Sequence, residues 1–174
     1  MQRNISSRLQ QLTELALLTA LSLILFVIEL RLPDLAPIPG VKLGLANIII
    51  VYAAFRYQPG ETVMLTVSRL LLGAIFAGNL SALLYSAAGA ALCLLGMLGI
   101  KRWIPTGSIW LCSVIGAMLH NSGQICAAML LMHTPAVLSY LPVLLVTGGV
   151  AGLFTGLCAQ VIVVRMKKHR DPHQ

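Results

Sequence analysis

The sequence predicts an all-α integral membrane protein: a single transmembrane domain over residues 1–174, built as a bundle of six transmembrane helices. Three observations predict this class. Of the 174 residues, 58% are hydrophobic and only 10% are charged. The hydrophobic residues form runs that approach the ~20 residues an α-helix needs to cross a bilayer. Most Lys and Arg residues lie at the ends of these runs, as is typical of membrane proteins.

The basic residues also predict the orientation. An even number of helices places both chain termini on one side, and the positive-inside rule assigns that side to the cytoplasm. The Lys and Arg residues on the predicted cytoplasmic side are Arg3, Arg8, Arg56, Lys101, Arg102, Arg165, Lys167, Lys168 and Arg170. Arg31 and Lys42 fall outside, and Arg69 falls within the membrane. We therefore expect a multi-pass membrane protein, surrounded by lipid, with cytoplasmic termini.

The first predicted helix covers residues 9–30, and a proline-rich loop follows it. Ala16 and Ala20 are four residues apart on one face of this helix, and small residues at that spacing allow another helix to approach closely. The residues alone leave two interpretations open, packing inside the bundle or docking of a partner protein. Residues 31–42 read RLPDLAPIPGVK, which cannot continue a helix and predicts a rigid outer loop. The loop is either functional or a mere connector.

The second and third predicted helices cover residues 43–57 and 61–78. The second is short for a full span, and Asn47 lies near its outer end. The third carries Arg69 near its middle. A charged side chain at that depth costs about 2.5–3.5 kcal/mol on insertion scales, so Arg69 needs a partner or water.

The fourth predicted helix follows Asn79, which we interpret as a turn residue, and ends near residue 100. The sixth contains Gly148, Gly152 and Gly156 at four-residue spacing. Such a series forms a smooth ridge on one helix face. We expect close contact with a neighbouring helix along it.

The fifth predicted helix, residues 109–132, carries a polar patch within an apolar run. On a helix His120 and Gln124 are four residues apart and Asn121 and Gln124 are three apart, so the three side chains share one broad face. Polar groups in the hydrocarbon region face either a packed interior or a wet cavity, because an unpaired group in lipid costs several kcal/mol. The patch therefore predicts either a ligand site or hydrogen bonds between helices.

By depth, the polar residues predict a funnel that opens outward and binds a small molecule. The candidate substrate-binding residues are Arg69 and His120 near the midplane, Asn121 and Gln124 in the outer half, and Asn47 and Lys42 at the rim. Arg69 would anchor an anionic or carbonyl group, and the amides would orient it. The alternative is that Arg69 bonds main-chain carbonyls and that His120 and Asn121 link helices, at about 0.6 kcal/mol per hydrogen bond.

Several function classes are excluded by the residues present. The net charge of +7 does not indicate nucleic-acid binding, because the positive-inside rule already accounts for the basic residues. The cysteines lie in apolar runs without metal-binding spacing, and the acidic residues do not cluster as a metal or catalytic site requires. We therefore expect no metal, no cofactor and no catalysis by this chain alone. The acidic residues are Glu14, Glu29, Asp34, Glu61 and Asp171.

Three segments resemble one bacterial membrane family. PIPGVKLGLANI (residues 37–48), RLLLG (69–73) and HNSGQ (120–124) are similar to the heptaprenyl diphosphate synthase component I family, also called the Gx transporter family. That family is similar to the S components of energy-coupling-factor (ECF) vitamin transporters. The resemblance implies six helices, an outward-facing pocket capped by the loop after the first helix, and a docking motif for a coupling subunit at Ala16 and Ala20.

The resemblance leads us to expect an S-component-like, membrane-embedded substrate-binding subunit. It would capture a small organic solute and work with a transmembrane coupling subunit and ATPases. One alternative is a non-catalytic membrane accessory of polyprenyl diphosphate synthesis, because the clustered aspartates that prenyl synthases use for magnesium are absent from this sequence. Another alternative is a secondary carrier that works alone.

Overall fold

The protein is an all-helical bundle. The computed structural model describes residues 2–32 and 43–170, and it contains no strand in those ranges. Its α-helices are α1 (Gln2–Arg31), α2 (Leu45–Arg56), α3 (Pro59–Ala77), α4 (Leu80–Ile100), α5 (Ile109–Met132) and α6 (Leu141–Arg170). Short 3₁₀ turns at Lys101–Trp103, Thr106–Ser108 and Pro135–Tyr140 connect the last three helices. Lys42 and the prolines of the predicted loop lie outside the described residues.

Five of the six helices are long and apolar enough to cross a membrane, which confirms the predicted all-α membrane bundle. Helix α2 is the exception, because its 12 residues extend only about 18 Å against a hydrocarbon core of roughly 30 Å. Helix α1 begins earlier than the predicted residue 9, since its first turns are polar and hydropathy marks only the apolar part of a helix.

Helix α2 is enclosed by the other helices. Ala46, Ala53 and Ala54 are fully buried, so neighbouring helices approach its backbone closely. At its last turn the Lys101 ammonium donates a hydrogen bond to the Ala54 carbonyl at 2.9 Å. The Thr62 hydroxyl lies 3.2 Å from the Ala53 carbonyl. The carbonyls at this helix end are therefore satisfied by side chains, as a buried helix end requires.

The contacts of α1 fix the directions of the first three helices. Near the end of α2, the Tyr57 hydroxyl donates to Glu14 at 2.8 Å, whereas the start of α2 contacts Glu29. Helices α1 and α2 are thus antiparallel, and α3 runs parallel to α1 because Phe26 lies against Gly73. We call the two ends of the bundle the Glu29 end and the Lys101 end.

Helices α4, α5 and α6 pack with their backbones close together. A Cβ atom added at Gly152 would lie 2.9 Å from the Ser113 carbonyl oxygen, and one at Gly156 would lie 2.6 Å from the Cα of Trp110. On the other side of α5, a Cβ atom at Gly123 would lie 2.7 Å from the Ala88 carbonyl oxygen. The predicted glycine ridge on α6 is therefore confirmed, and α5 is held tightly on two sides.

One face of α1 has no partner among the described helices. Ala16 and Ala20 are both exposed on it, and Leu17, Leu21 and Ile24 beside them are 66%, 46% and 55% exposed. The two alanines do not pack inside this bundle, so the internal-packing interpretation of their spacing is wrong. Docking of a partner on this face stays a prediction.

Candidate functional site

A cavity of about 480 Å³ lies between the first five helices, and we call it the main cavity. It extends from the Glu29 end, where Asn79 lines it, to Arg69 and His120. Its polar lining consists of Glu29, Asn47, Arg69, Asn79, Ser86, His120, Asn121 and Gln124, contributed by all five helices. The volume lies within the range of small-molecule sites, roughly 300–1,000 Å³.

Arg69 is positioned by an aromatic ring and a glycine. The centre of its guanidinium lies 5.3 Å from the centroid of the Phe26 ring, which is within cation–π distance. One turn further along α3, a Cβ atom at Gly73 would lie 3.1 Å from that ring, so Gly73 leaves the space that the ring occupies. The spacing of Arg69 and Gly73 therefore holds Phe26 against the guanidinium from one side.

Glu29 closes the start of α2. Its carboxylate accepts hydrogen bonds from the backbone N–H groups of Gly44 and of Leu45, the latter at 3.1 Å. Gly44 has a φ of 71°, a left-handed conformation that favours glycine. Glu29 is only 5% exposed, and it attracts Arg69 across the main cavity. The sequence did not indicate a role for Glu29, because its partners are backbone groups beyond the proline-rich loop.

The α5 wall of the main cavity depends on Gly89 of α4. A Cβ atom there would lie 2.7 Å from the His120 carbonyl oxygen and 2.8 Å from Cγ of Gln124. Any larger residue at this position would separate the two helices. The missing side chain thus allows α5 to lie close to α4 while His120 and Gln124 face the main cavity.

The polar side chains of the main cavity have few partners. Among the described residues, the side chains of Arg69, His120, Gln124 and Asn47 accept or donate no hydrogen bond, and Arg69 forms no ion pair. No fully buried side-chain nitrogen or oxygen in the described ranges lacks a partner, so these atoms reach the cavity surface. No main-chain carbonyl of the described residues accepts a hydrogen bond from Arg69, and the alternative in which it bonds such carbonyls stays a prediction.

Asn121 differs from its neighbours because it links two helices. Its amide nitrogen donates a hydrogen bond to the Leu144 carbonyl of α6 at 2.6 Å. The Asn121 nitrogen therefore forms a hydrogen bond between helices, as the alternative interpretation expected. No described residue bonds the Asn121 oxygen. Asn79, interpreted as a turn residue, caps α4, since its side-chain oxygen accepts from the Ala82 N–H at 3.0 Å.

The structure brings together five of the six residues predicted to bind substrate. Arg69, His120, Asn121, Gln124 and Asn47 line the main cavity. Asn47 lies deeper than the predicted rim position, because α2 starts inside the bundle and not at its surface. The sixth, Lys42, lies outside the described residues. That these residues bind a substrate stays a prediction.

The arrangement of the main cavity suits binding. Within the described ranges, no group of three His, Cys, Asp or Glu side chains lies close enough to hold a metal ion. The four cysteines are free thiols. What the main cavity offers is one cation, one carboxylate bonded to backbone N–H groups, and neutral amides and an imidazole facing a common space.

These features define the class of the protein, a multi-pass α-helical membrane protein with a polar cavity inside its bundle. Residues 18–162 match the family model for heptaprenyl diphosphate synthase component I, and the chain belongs to that family. The comparisons with curated proteins and with solved structures gave no match. The family is named for a component of a synthase, and its name assigns no catalytic residues to this chain.

Proposed function

We propose that the protein is the substrate-binding subunit of an uptake system for a small organic solute. The observation that supports this most is the convergence on the main cavity of Arg69, His120, Gln124 and Asn47, whose side chains form no hydrogen bond with any described residue. In a bilayer such groups are costly unless water or a ligand satisfies them. A solute that bonds to them would recover that cost on binding.

Arg69 is proposed to anchor an anionic or carbonyl group of the solute. Its guanidinium has five N–H donors, and the contact with the Phe26 ring uses none of them. Glu29 would not compete strongly for Arg69, because both of its oxygens accept backbone N–H bonds. A hydrogen bond to a charged group is worth about 1.5–3 kcal/mol, so the anchor would dominate the binding energy.

The neutral side chains are proposed to orient the solute. His120 and Gln124 face the same space as Arg69, and Asn47 and the free oxygen of Asn121 lie beside them. Each amide offers both donors and acceptors, so together they can distinguish ligands by the pattern of their polar atoms. Lys42 is proposed to contact the solute at the rim.

The exposed face of α1 is proposed to dock a transmembrane coupling subunit that works with ATPases. Ala16 and Ala20 leave a shallow strip between larger exposed side chains, and helices in membranes associate through such strips. The opposite face of the same helix carries Phe26 and Glu29. Docking on α1 would therefore act on a helix that forms a wall of the main cavity.

The orientation belongs to the same proposal. The Lys101 end carries Lys101, Arg102 and Arg56, and the positive-inside rule favours the cytoplasm for that end. The Glu29 end of a bacterial inner membrane protein would then face outward, and the main cavity would take its solute from that side.

A second candidate function is a membrane accessory of heptaprenyl diphosphate synthesis, which the family name favours. Copurification separates the two. A transmembrane coupling protein retained together with ATPases supports uptake, whereas a soluble prenyl synthase retained instead supports the accessory role. Uptake by proteoliposomes without ATP would support a carrier that works alone.

The direct test of the proposed function is native mass spectrometry of the full chain, purified in mild detergent from its native membrane. We expect a bound small molecule at a fixed stoichiometry. A folded protein without any bound small molecule would contradict the proposal.

A further inference from the structure

A second, smaller cavity of about 70 Å³ lies beside the main cavity. We call it the small chamber. Helices α2, α5 and α6 form most of its wall, and Cys93 and Met97 of α4 complete it. Its polar lining consists of Asn47, Ser113, His120, Asn121, Thr147 and Thr155. These polar side chains distinguish the small chamber from an apolar packing defect.

The small chamber adjoins the main cavity. Asn47, His120 and Asn121 line both spaces. From them the chamber extends toward the Lys101 end, since Ser113 lies about two turns before His120 on α5 and Val51 lies one turn after Asn47 on α2. The two cavities are therefore adjacent compartments that share one polar wall.

The lining of the small chamber combines six polar side chains with apolar ones, and it carries no Asp, Glu, Lys or Arg among the described residues. The hydroxyls of Ser113 and Thr155 lie 3.1 Å apart and bond to each other. Asn121 bonds Leu144 through its nitrogen, and no described residue bonds its oxygen. The small chamber thus offers neutral hydrogen-bond donors and acceptors. Its described residues provide no charged side chain that could neutralise a bound ion.

The volume of the small chamber sets the size of what it holds. A water molecule needs about 10–15 Å³ of such volume, so the space corresponds to about five waters or to a group of a few heavy atoms. Water or a ligand group would fill this space, because the Asn47 amide and the Asn121 oxygen have no hydrogen-bond partner among the described residues.

We propose that the small chamber is the deep end of the binding site and takes a neutral hydroxyl, carbonyl or amide group of the solute. This inference rests on the proposed function, in which Arg69 contacts an anionic group of the same solute. The solute then has one anionic end and one neutral hydrogen-bonding end. A prenyl diphosphate fits less well, because its hydrocarbon tail would offer no hydrogen bond to the Asn47 amide or to the Asn121 oxygen, which no described residue bonds.

Ala151 offers a way to fill the small chamber, which it lines from α6. Ala151→Leu places a larger apolar side chain in that space. Val150→Leu is the matched control, because Val150 is the next residue on the same helix and is 67% exposed. Thr147→Leu is a second filling variant, since the Thr147 hydroxyl bonds only carbonyls of its own helix, at 2.9 and 3.4 Å.

The experiment measures bound solute by native mass spectrometry of the full-length variants and identifies its end groups by fragmentation. We expect Ala151→Leu, or Thr147→Leu if the first variant does not fold, to lower occupancy at least tenfold, and Val150→Leu to change it less than twofold. Fragmentation should show an anionic group and a separate neutral polar group.

Three results would overturn the inference. Equal occupancy in the filled and control variants would contradict a role for the small chamber, and so would a solute whose remainder is wholly apolar or carries a second charge. Both of these results leave the proposed function intact. A wild-type protein that carries no solute would overturn the inference and the proposed function together.

Discussion

Two regions of the molecule differ in how their polar groups are bonded. One is the interface between α5 and α6, and the other is the main cavity. At the interface, Gly152 and Gly156 bring the two backbones together, and the buried hydroxyls of Ser113 and Thr155 bond to each other. In the main cavity, Arg69 and Gln124 have no hydrogen-bond partner among the described residues. At the interface, the polar side chains bond to each other within the packed helices. The main cavity keeps part of its polar side chains, Arg69 and Gln124 among them, without a bond to any described residue, and binding sites accept such a cost in stability.

The comparison predicts that the interface carries more of the stability than the cavity does. In Gly152→Ala, the new Cβ atom would meet backbone atoms at 2.9 Å, so the helices would have to separate. We expect the free energy of unfolding in mixed micelles to fall by about 3 kcal/mol. Gly149→Ala is the control, because nothing lies within 4 Å of a Cβ atom there. Equal stability of the two variants would contradict tight packing at the interface.

Glu29 lines the main cavity and also bonds the backbone at the start of α2. Its replacement should therefore have the next largest effect on the free energy of unfolding. Glu29→Gln removes the charge and places an amide donor against two backbone donors. We expect unfolding to become easier by about 2 kcal/mol. Glu14→Gln is matched, since Glu14 is exposed and its amide replacement still accepts from Tyr57. A loss in Glu14→Gln as large as that in Glu29→Gln would argue against the capping role.

Gly148 lies where the two regions meet. A Cβ atom at this position would lie 2.4 Å from the amide nitrogen of Asn121, whose hydrogen bond to Leu144 would then be displaced. We expect Gly148→Ala to cost about 1 kcal/mol of stability and to lower solute occupancy several-fold. Gly149→Ala should do neither. Occupancy unchanged in Gly148→Ala would show that Asn121 does not orient the solute.

The cavity residues themselves should matter least for stability. Gln124→Met keeps the length of the side chain and removes only its polar end. Because no described residue bonds that end, we expect the free energy of unfolding to change by less than about 0.5 kcal/mol while solute occupancy falls. Ser113→Ala breaks a formed hydrogen bond and should cost about 1 kcal/mol. A destabilised Gln124→Met would mean that the amide has a structural partner.

The exposed face of α1 is the region where we expect no change in stability at all. Ala16→Trp combined with Ala20→Trp should preserve solute binding and break copurification with the proposed coupling subunit. Val146→Trp combined with Val150→Trp is the control, because these residues are also four apart and are 68% and 67% exposed. If the complex survives both double substitutions, docking does not use Ala16 and Ala20.

The sequence predicted the helices well because hydrophobic runs are local features. It also predicted that Arg69, His120 and Gln124 come together. A charged residue and a one-sided polar patch in apolar helices are costly in lipid, so both face the interior of the bundle. The glycine ridge at Gly148 and Gly152 was predictable from spacing alone.

The remaining features arise from contacts between helices, which spacing does not encode. Glu29 bonds the start of α2 across a loop, and the sequence gives no sign of that pairing. Asn47 lies deep because α2 begins inside the bundle. The small chamber is a space between four helices, α2, α4, α5 and α6, that are far apart in the sequence.

The central claim is that Arg69 is held for a ligand and not for the fold. Its most direct test compares Arg69→Ala with Arg102→Ala, an exposed arginine at the Lys101 end, by native mass spectrometry and by unfolding in mixed micelles. We expect Arg69→Ala to lose bound solute at least tenfold while it unfolds no more easily than Arg102→Ala. Solute occupancy that is the same in both variants, or collapse of the fold in Arg69→Ala alone, would contradict the claim.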